Sequence, residues 1–343
     1  MGCRWKKKVR QSPLLSLHPT PYTLQPSLCP MPVEPAIRKV LPPLSLAPSS
    51  LLARNLLEGI SKHYLWQSEC PIVTAETIPL YKSKDRSKDG RKKILYISGI
   101  ALKLEKLWRQ SPLEIATSLA PLIPVSPDFT LTVVPPGWIH LQFTDTGIAN
   151  FLQYLAQNAY GQWGEASGAK FLPQNIGDPT NASSKSDAKN SKLHSQNSAV
   201  KTKQSLSKGV FQIQYANARC CSLLRSACQE GLIVPYQLAR DISWLDERDQ
   251  LRLTEPRELV LISRLMATLD ALARRPERDK ILKLAAALAE DFEKFYSACR
   301  ILGKVKQENL DLARGRLGLV LGTQKLLRFL LEEGLALAAP EEL

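Results

Sequence analysis

The feature that most limits how this chain can fold is a polar segment that divides it in two. Residues 165–208 consist mainly of Ser, Asn, Lys, Gln and Ala, and large aliphatic residues are few. A segment of this composition buries too little apolar surface to offset the conformational entropy lost on folding. We therefore predict a long disordered linker between an N-terminal region, residues 47–164, and a C-terminal region, residues 209–343.

The first part of the chain is also predicted to be disordered. Residues 1–46 are rich in Pro, Ser and Leu, and closely spaced prolines block both helices and sheet ladders. The basic start of the chain is not followed by the apolar core of a secretory signal. No run of about 18 apolar residues occurs, which predicts that the chain has no membrane-spanning segment.

The N-terminal region is predicted to form a small α+β domain, called here the α+β region. Apolar residues spaced every four positions indicate helices, and Ser111 followed by Pro112 and Glu114 is a typical helix start. A Pro-Pro-Gly turn between two short alternating segments indicates a pair of strands. The predicted helices are 51–66, 94–107, 112–123 and 146–158, and the predicted strands are 130–134 and 138–143.

The C-terminal region is predicted to form an all-α helical bundle, called here the helical region. Its apolar residues follow the helical period, and the longest apolar stripe runs from Ile281 through Phe292 and Phe295 to Leu302. Stripes of this kind bury against one another in helical bundles. The chain as a whole is therefore predicted to be mainly α.

The cysteines indicate the redox environment. There are seven, an odd number, and they include no CxxC pair. This pattern argues against both a disulfide framework and a zinc site. We predict a cytoplasmic protein that binds no metal.

The positive charge is unevenly distributed. Residues 1–164 hold 19 basic and 10 acidic residues and residues 165–209 hold 7 and 3, whereas residues 210–343 hold 20 and 19. A basic excess of this kind favours salt-dependent binding to a polyanion. It is equally consistent with a role in solubility alone.

Three short motifs follow one another in the helical region: FQIQYANAR at 211–219, FEKFYSACRIL at 292–302 and ARGRLGLV at 313–320. In order and spacing they resemble the DALR anticodon-binding domain of arginyl-tRNA synthetases. The corresponding family segments read VQYAHAR, FHxFYNxCRVL and ARLxL. Asn217 stands where the family has His, so anticodon specificity does not carry over directly.

Two motifs of the α+β region point to the same family. SPLEIA at 111–116 and PPGWIHL at 135–141 resemble the NPxEIA helix and the GPGFIN turn and strand of the family's N-terminal additional domain. This resemblance covers roughly residues 51–158. It implies contact with the elbow side of a tRNA.

The family's catalytic signatures are missing between these two regions. Its nucleotide-binding core carries a His-Ile-Gly-His-like motif, but His18, His63, His140 and His194 form no such pair. The sequence also contains no P-loop and no GxGxxG after a strand. We therefore expect no cofactor and no independent synthetase activity.

Candidate RNA contacts are aromatic and arginine side chains on or beside these motifs. An aromatic ring can stack on an unpaired base, and an arginine can hold a phosphate or a base edge. The alternative for each residue is core packing or a place on a solvated face. The candidates are Tyr215, Arg219, Arg225, Tyr296, Arg300, Arg314, Arg316 and His140.

These observations leave three hypotheses for function. The first is a tRNA-binding protein, with tRNA-Arg as the expected partner, whose two regions are joined by a flexible linker and bind the same tRNA. The second is a component of an arginine-tRNA ligase that acts only with a catalytic partner such as a full-length synthetase. The third is a protein-interaction module that has lost RNA binding, which the nearly neutral charge of the helical region favours.

Overall fold

The computed structural model describes residues 47–64, 73–83, 94–157, 192–234, 240 and 242–343. The predicted disordered tail, 1–46, and the first part of the predicted linker, 165–191, lie outside these residues. Within them, no helix is both long enough and apolar enough to cross a membrane.

The described residues of the α+β region form four α-helices and a four-stranded antiparallel sheet, which confirms the predicted fold class. The strands are ordered β1-β2-β4-β3, so the hairpin of β3 and β4 is extended on its β4 side by β2 and then β1. In chain order the elements are α1 (Pro48–Tyr64), β1 (Leu80–Lys82), β2 (Leu95–Ser98), α2 (Ile100–Trp108), α3 (Pro112–Leu119), β3 (Phe129–Val134), β4 (Trp138–Phe143) and α4 (Asp145–Gln157).

The helix start predicted at Ser111 is confirmed. The Ser111 hydroxyl accepts a hydrogen bond from the Glu114 backbone N–H, and the Ser111 N–H donates to the Glu114 carboxylate, at 3.3 and 3.1 Å. These reciprocal bonds satisfy two donors that a helix N-terminus otherwise leaves unpaired. They fix where α3 begins, with Pro112 as its first residue.

The single helix predicted at 94–107 is wrong over its first turn. Residues 95–98 form β2, and α2 begins only at Ile100, after Gly99. Short apolar runs fit helix and strand equally well, and here pairing with β1 and β4 decides for the strand. The Trp138 ring packs against Gly99 so closely that a Cβ at position 99 would lie 2.8 Å from a ring carbon.

The helical region is a helical bundle, as predicted, and its described residues form five α-helices. They are α5 (Lys192–Gln229), α6 (Pro256–Leu272), α7 (Arg278–Ala298), α8 (Lys304–Glu308) and α9 (Leu310–Phe329), and α9 continues into a π-helical turn, Leu330–Gly334. The predicted α7 stripe lies in the core, where Phe292 and Phe295 are fully buried. The α7 helix packs on both α5 and α6, and α9 packs on α5.

The first helix of the bundle begins inside the predicted linker. Residues 192–208, which the sequence predicts as part of the linker, are helical and belong to α5. Once the packed part of α5 has formed, adding residues to its N-terminal end requires no new nucleation. No proline or glycine interrupts the sequence between Lys192 and Lys208, and its lysines and glutamines favour helix.

Two buried thiols in this core allow a direct chemical test. Burial raises the pKa of Cys221 to about 11 and that of Cys299 to about 11. Thiolate is the reactive form, so both residues should resist iodoacetamide at pH 8 in the folded protein and react fully in urea. Peptide mass spectrometry of the alkylated protein measures this. Rapid labelling of either cysteine without denaturant would contradict the described packing.

The α+β region and the helical region pack directly against each other. The Tyr96 hydroxyl of β2 donates to Asp270 of α6 at 2.5 Å, and the Ser49 backbone N–H of α1 donates to the other Asp270 oxygen at 2.8 Å. Leu155 of α4 lies against Gly322 of α9 so closely that a Cβ at 322 would come within 2.6 Å of it. Both regions are therefore joined by buried contacts as well as by the chain between them.

Three further hydrogen bonds surround this contact between the regions. The Trp244 indole N–H donates to Gln153 at 2.7 Å, the Leu251 backbone N–H to Asp145 at 3.0 Å, and the Lys325 ammonium to the Ala156 carbonyl at 2.8 Å. In each of them a residue of the helical region donates to α4. The contact is thus polar at these points and apolar where α4 meets Gly322.

Candidate nucleic-acid interface

One face of α5 carries an exposed stripe of two aromatic residues and an arginine. Phe211, Tyr215 and Arg219 follow at intervals of four residues, which places them on one side of the helix. Phe211 is 58% and Tyr215 40% exposed, and their ring centroids are 6.4 Å apart at an interplanar angle of 27°. Phe211 and Tyr215 thus form an exposed, nearly parallel aromatic surface, and with Arg219 they are called here the α5 stripe.

Arg219 joins this stripe to Tyr296 of α7. The Arg219 guanidinium lies 4.6 Å from the centroid of the Tyr296 ring and donates a hydrogen bond to its hydroxyl at 2.9 Å. Tyr296 in turn stacks on the buried Phe292 ring at 6.4 Å. The pair is therefore held in place by the core beneath it while both side chains remain half-buried at the surface. A cation fixed over an aromatic ring suits an unpaired base or a phosphate.

The Arg225 side chain contacts the last residues of the chain. Its guanidinium donates to the Glu341 carbonyl at 3.2 Å and lies 3.1 Å from the Glu342 carboxylate. Asn217 holds the same segment, because its side-chain amide donates to the Pro340 carbonyl at 2.8 Å. Asn217 is fully buried, so at this position, where the family has His, the side chain serves packing of the segment 335–343.

Arg316 lies inside the bundle, which corrects its prediction as an RNA contact. It is 6% exposed, its guanidinium donates to the fully buried Glu258 carboxylate at 2.6 Å, and it also donates to the Arg300 carbonyl. Burial raises the pKa of Glu258, and the hydrogen bond from Arg316 partly offsets that rise. A charged side chain is rarely buried unless it is paired in this way.

The remaining arginine candidates lie near this ion pair. Arg300 is exposed, and its backbone carbonyl is the group that Arg316 contacts. Arg314 is half-buried, and its guanidinium donates a long hydrogen bond of 3.5 Å to the Leu232 carbonyl. Of the two, only the Arg300 side chain is freely presented to solvent.

His140 lies on the outer face of the sheet in the α+β region. Along β4, Ile139 and Leu141 face the core, so His140 and Trp138 share the opposite face, as their alternation predicts. The register places Ile97 beside His140 and Tyr81 beyond Ile97 in the same row. Tyr81 is 62% exposed, so this face also carries aromatic side chains.

Two residues of the α5–α7 surface were not among the sequence candidates. Phe211 is the more exposed aromatic of the α5 stripe, and its spacing of four from Tyr215 is the signal that could have identified it. Glu293 lies on α7 beside the Arg219–Tyr296 pair. One of its carboxylate oxygens is buried, and no described residue donates a hydrogen bond to it. Nothing in the sequence distinguishes Glu293 from an ordinary surface glutamate.

The fold and these motifs define the class of the helical region. Residues 213–342 match the family described as the DALR anticodon binding domain. The C-terminal part of this chain is therefore similar to the DALR anticodon binding domain, which confirms the resemblance that the three motifs predict.

Curated relatives over this part of the chain share one name. An arginine--tRNA ligase of Synechococcus sp. (strain JA-3-3Ab) is 38% identical over 144 residues, which is 41% of this chain and 23% of that protein. The corresponding protein of Pelodictyon phaeoclathratiforme is 40% identical over 130 residues, covering 37% and 22%. That of Gloeobacter violaceus is 38% identical over 125 residues, covering 34% and 20%.

The match is thus confined to part of each protein. This chain spans less than a quarter of the length of the curated relatives it matches. No solved structure matches it.

Proposed function

We propose that this protein binds tRNA, with the helical region on the anticodon side and the α+β region on the elbow side. The observation that carries the proposal is the α5 stripe. Two exposed aromatic residues and an arginine line one face of the domain that matches an anticodon-binding family. Contiguous exposed aromatic side chains of this kind mark interaction sites on protein surfaces.

The proposed mode of binding is stacking of unpaired bases. Phe211 and Tyr215 offer ring faces to two bases, and the Arg219–Tyr296 pair offers a cation beside a third aromatic ring. Each base stacked on an aromatic side chain contributes about 1–3 kcal/mol. Arg300, which is exposed on the same helical region, is proposed to contact the phosphate backbone.

The second contact in this proposal lies on the sheet of the α+β region. His140 and Tyr81 are on its outer face, and residues 1–164 carry a basic excess of 19 to 10 that favours a polyanion. The direct packing of the two regions supports one tRNA being held at both places. With the regions docked, the distance between the two contacts is set by the packing of the protein and not by linker length alone.

We further propose tRNA-Arg as the ligand, because the curated relatives of the helical region are named arginine--tRNA ligases. In the same proposal the chain does not aminoacylate tRNA itself and uses no cofactor. The segment between its two regions lacks the family's nucleotide-binding signatures, and α4 packs directly on α9. A full-length synthetase in the cytoplasm is the protein partner in this proposal.

The first experiment is a binding titration with total tRNA at two salt concentrations, using an unrelated structured RNA as control. Tyr215→Ala is expected to weaken tRNA binding about tenfold through lost stacking, and Arg219→Ala by a similar factor. Arg248→Ala, an exposed arginine on a loop of the same region, serves as the charge-matched control and should change binding less than twofold, roughly.

Binding that is absent, or equal for tRNA and the control RNA, would contradict the proposed function. That result would favour a protein partner for the helical region. If binding prefers tRNA, sequencing the retained species tests whether arginine acceptors are enriched.

A further inference from the structure

The unexplained group of this surface is the Glu293 carboxylate. Glu293 lies on α7, where it follows the fully buried Phe292 and precedes the exposed Lys294 in the sequence. Its Oε1 atom is buried, and within the described residues nothing donates a hydrogen bond to it. A buried acceptor without a donor costs about 1–3 kcal/mol, more if it is charged, so such a group in a folded protein requires an explanation.

Glu293 faces the seam between α7 and α5. The Arg219 guanidinium is close enough to lower the pKa of the Glu293 carboxyl, although burial has the larger effect and raises it. Cys220, which is fully buried on α5, is close enough for Glu293 to contribute to the raised pKa of its thiol. The carboxylate therefore lies in the same corner as the Arg219–Tyr296 pair.

Arg219 does not satisfy this carboxylate. Its guanidinium is directed to the Tyr296 hydroxyl and ring, at 2.9 and 4.6 Å. The neighbouring Glu290, one turn earlier on α7, is in contrast exposed and paired with Lys294 at 2.5 Å. Glu290 is thus paired with a lysine at the surface. Glu293, in contrast, keeps an acceptor oxygen to which no described residue donates, beside the Tyr296 ring.

We propose that Glu293 is a specificity-determining residue, and that it accepts a hydrogen bond from the amino group of an unpaired base bound beside Tyr296. This inference rests on the proposed tRNA binding and names the bases that the surface selects. Carboxylates accept from the cytosine N4 amino group, whereas uracil presents a carbonyl oxygen at the same place and would be repelled. The expected preference is therefore for cytosine over uracil.

The side chain is able to reach a bound base. Glu293 as a whole is only half-buried, so rotation about its side-chain bonds can turn the carboxylate towards the surface. Because none of the residues that the structure describes donates to Oε1, that rotation breaks no described hydrogen bond to this atom. The base amino group would supply the donor that the carboxylate lacks.

The test uses the full chain and two tRNA transcripts that differ only in their anticodon-loop nucleotides, all cytosine in one and all uracil in the other. The unchanged protein should bind the cytosine loop about fivefold more tightly. In Glu293→Gln the ratio should fall to about one, because an amide both donates and accepts. Glu290→Gln is the matched control: it removes the same charge from the same helix and should keep the fivefold ratio.

The possible outcomes separate the two proposals. Binding of both transcripts with equal affinity, or a ratio that Glu293→Gln leaves unchanged, would overturn the role of Glu293 and leave tRNA binding intact. If neither transcript binds, tRNA binding and base selection fall together. An equal fall of the ratio in Glu290→Gln would also overturn the inference, because the effect would then be one of net charge.

Discussion

Replacing Arg316 with alanine is expected to lower the free energy of unfolding by about 3–5 kcal/mol, the largest effect of any single change proposed here. The Arg316 and Glu258 side chains are 8% and 0% exposed, and their charged groups are 2.6 Å apart. Without Arg316, Glu258 would remain buried with its charge uncompensated, and the Arg300 carbonyl would lose its donor. Urea denaturation followed by circular dichroism measures the loss.

A double variant distinguishes the destabilisation caused by leaving one buried charge unpaired from the net contribution of the ion pair to the free energy of unfolding. Arg316→Met combined with Glu258→Leu removes both charges and keeps most of the side-chain volume. Its free energy of unfolding should recover most of this loss, to within about 2 kcal/mol of the unchanged protein, because the Glu255 N–H and the Arg300 carbonyl still lose their partners. A single variant that loses less than about 1 kcal/mol would show that Glu258 is reached by water, against its described burial.

The same ion pair shows which features the sequence could not reveal. Arg314 and Arg316 stand two residues apart in a motif that the family resemblance associated with RNA, and both were predicted as contacts. The α9 helix is buried around most of its circumference, as Gly315, Leu317, Gly318 and Leu319 all show. Periodicity identifies an exposed face only where a helix has one, so it could not place Arg316.

Other features were readable because they depend on neighbours in the sequence. The Ser111–Glu114 capping box and the alternation of Trp138 and His140 along β4 are local, and both are present in the structure. The α7 core stripe is likewise a helical pattern confirmed by burial. Residues 95–98 were predicted as helix, whereas they form β2, because pairing with β1 and β4, which are distant in sequence, decides their conformation.

The packing of the two regions against each other could also not be predicted from the sequence. A polar segment between two apolar regions predicts separate domains, and nothing in its composition shows which surfaces meet. The contact depends on single residues far apart in the chain, such as Tyr96 with Asp270 and Leu155 with Gly322. Gly322 has no side chain to provide a pattern, and a lone aspartate in α6 is indistinguishable from a solvated one.

Asp270→Ala is therefore expected to weaken this contact strongly, with a loss of about 3 kcal/mol in unfolding free energy. Asp270 accepts from the Tyr96 hydroxyl and from the Ser49 N–H in the first turn of α1, which has no acidic residue of its own. Burial raises the pKa of Tyr96 well above its usual value, so the hydroxyl stays a donor that must be satisfied. The alanine variant leaves both donors unpaired and removes a favourable charge from the start of α1.

Hydrogen exchange distinguishes a lost contact from general unfolding. Amides of α1 and β2 should exchange faster in Asp270→Ala, while those of α7, which packs on α5 and α6, should keep most of their protection. Tyr96→Phe is the milder companion, since it removes one donor and leaves Asp270 with Ser49. Uniform loss of protection would mean that the regions unfold as one unit.

If Asp270→Ala also weakens tRNA binding while Tyr215 and Arg219 are unchanged, then packing of the two regions holds the two proposed tRNA contacts at the distance that binding requires. Unaltered binding would instead assign that task to the linker.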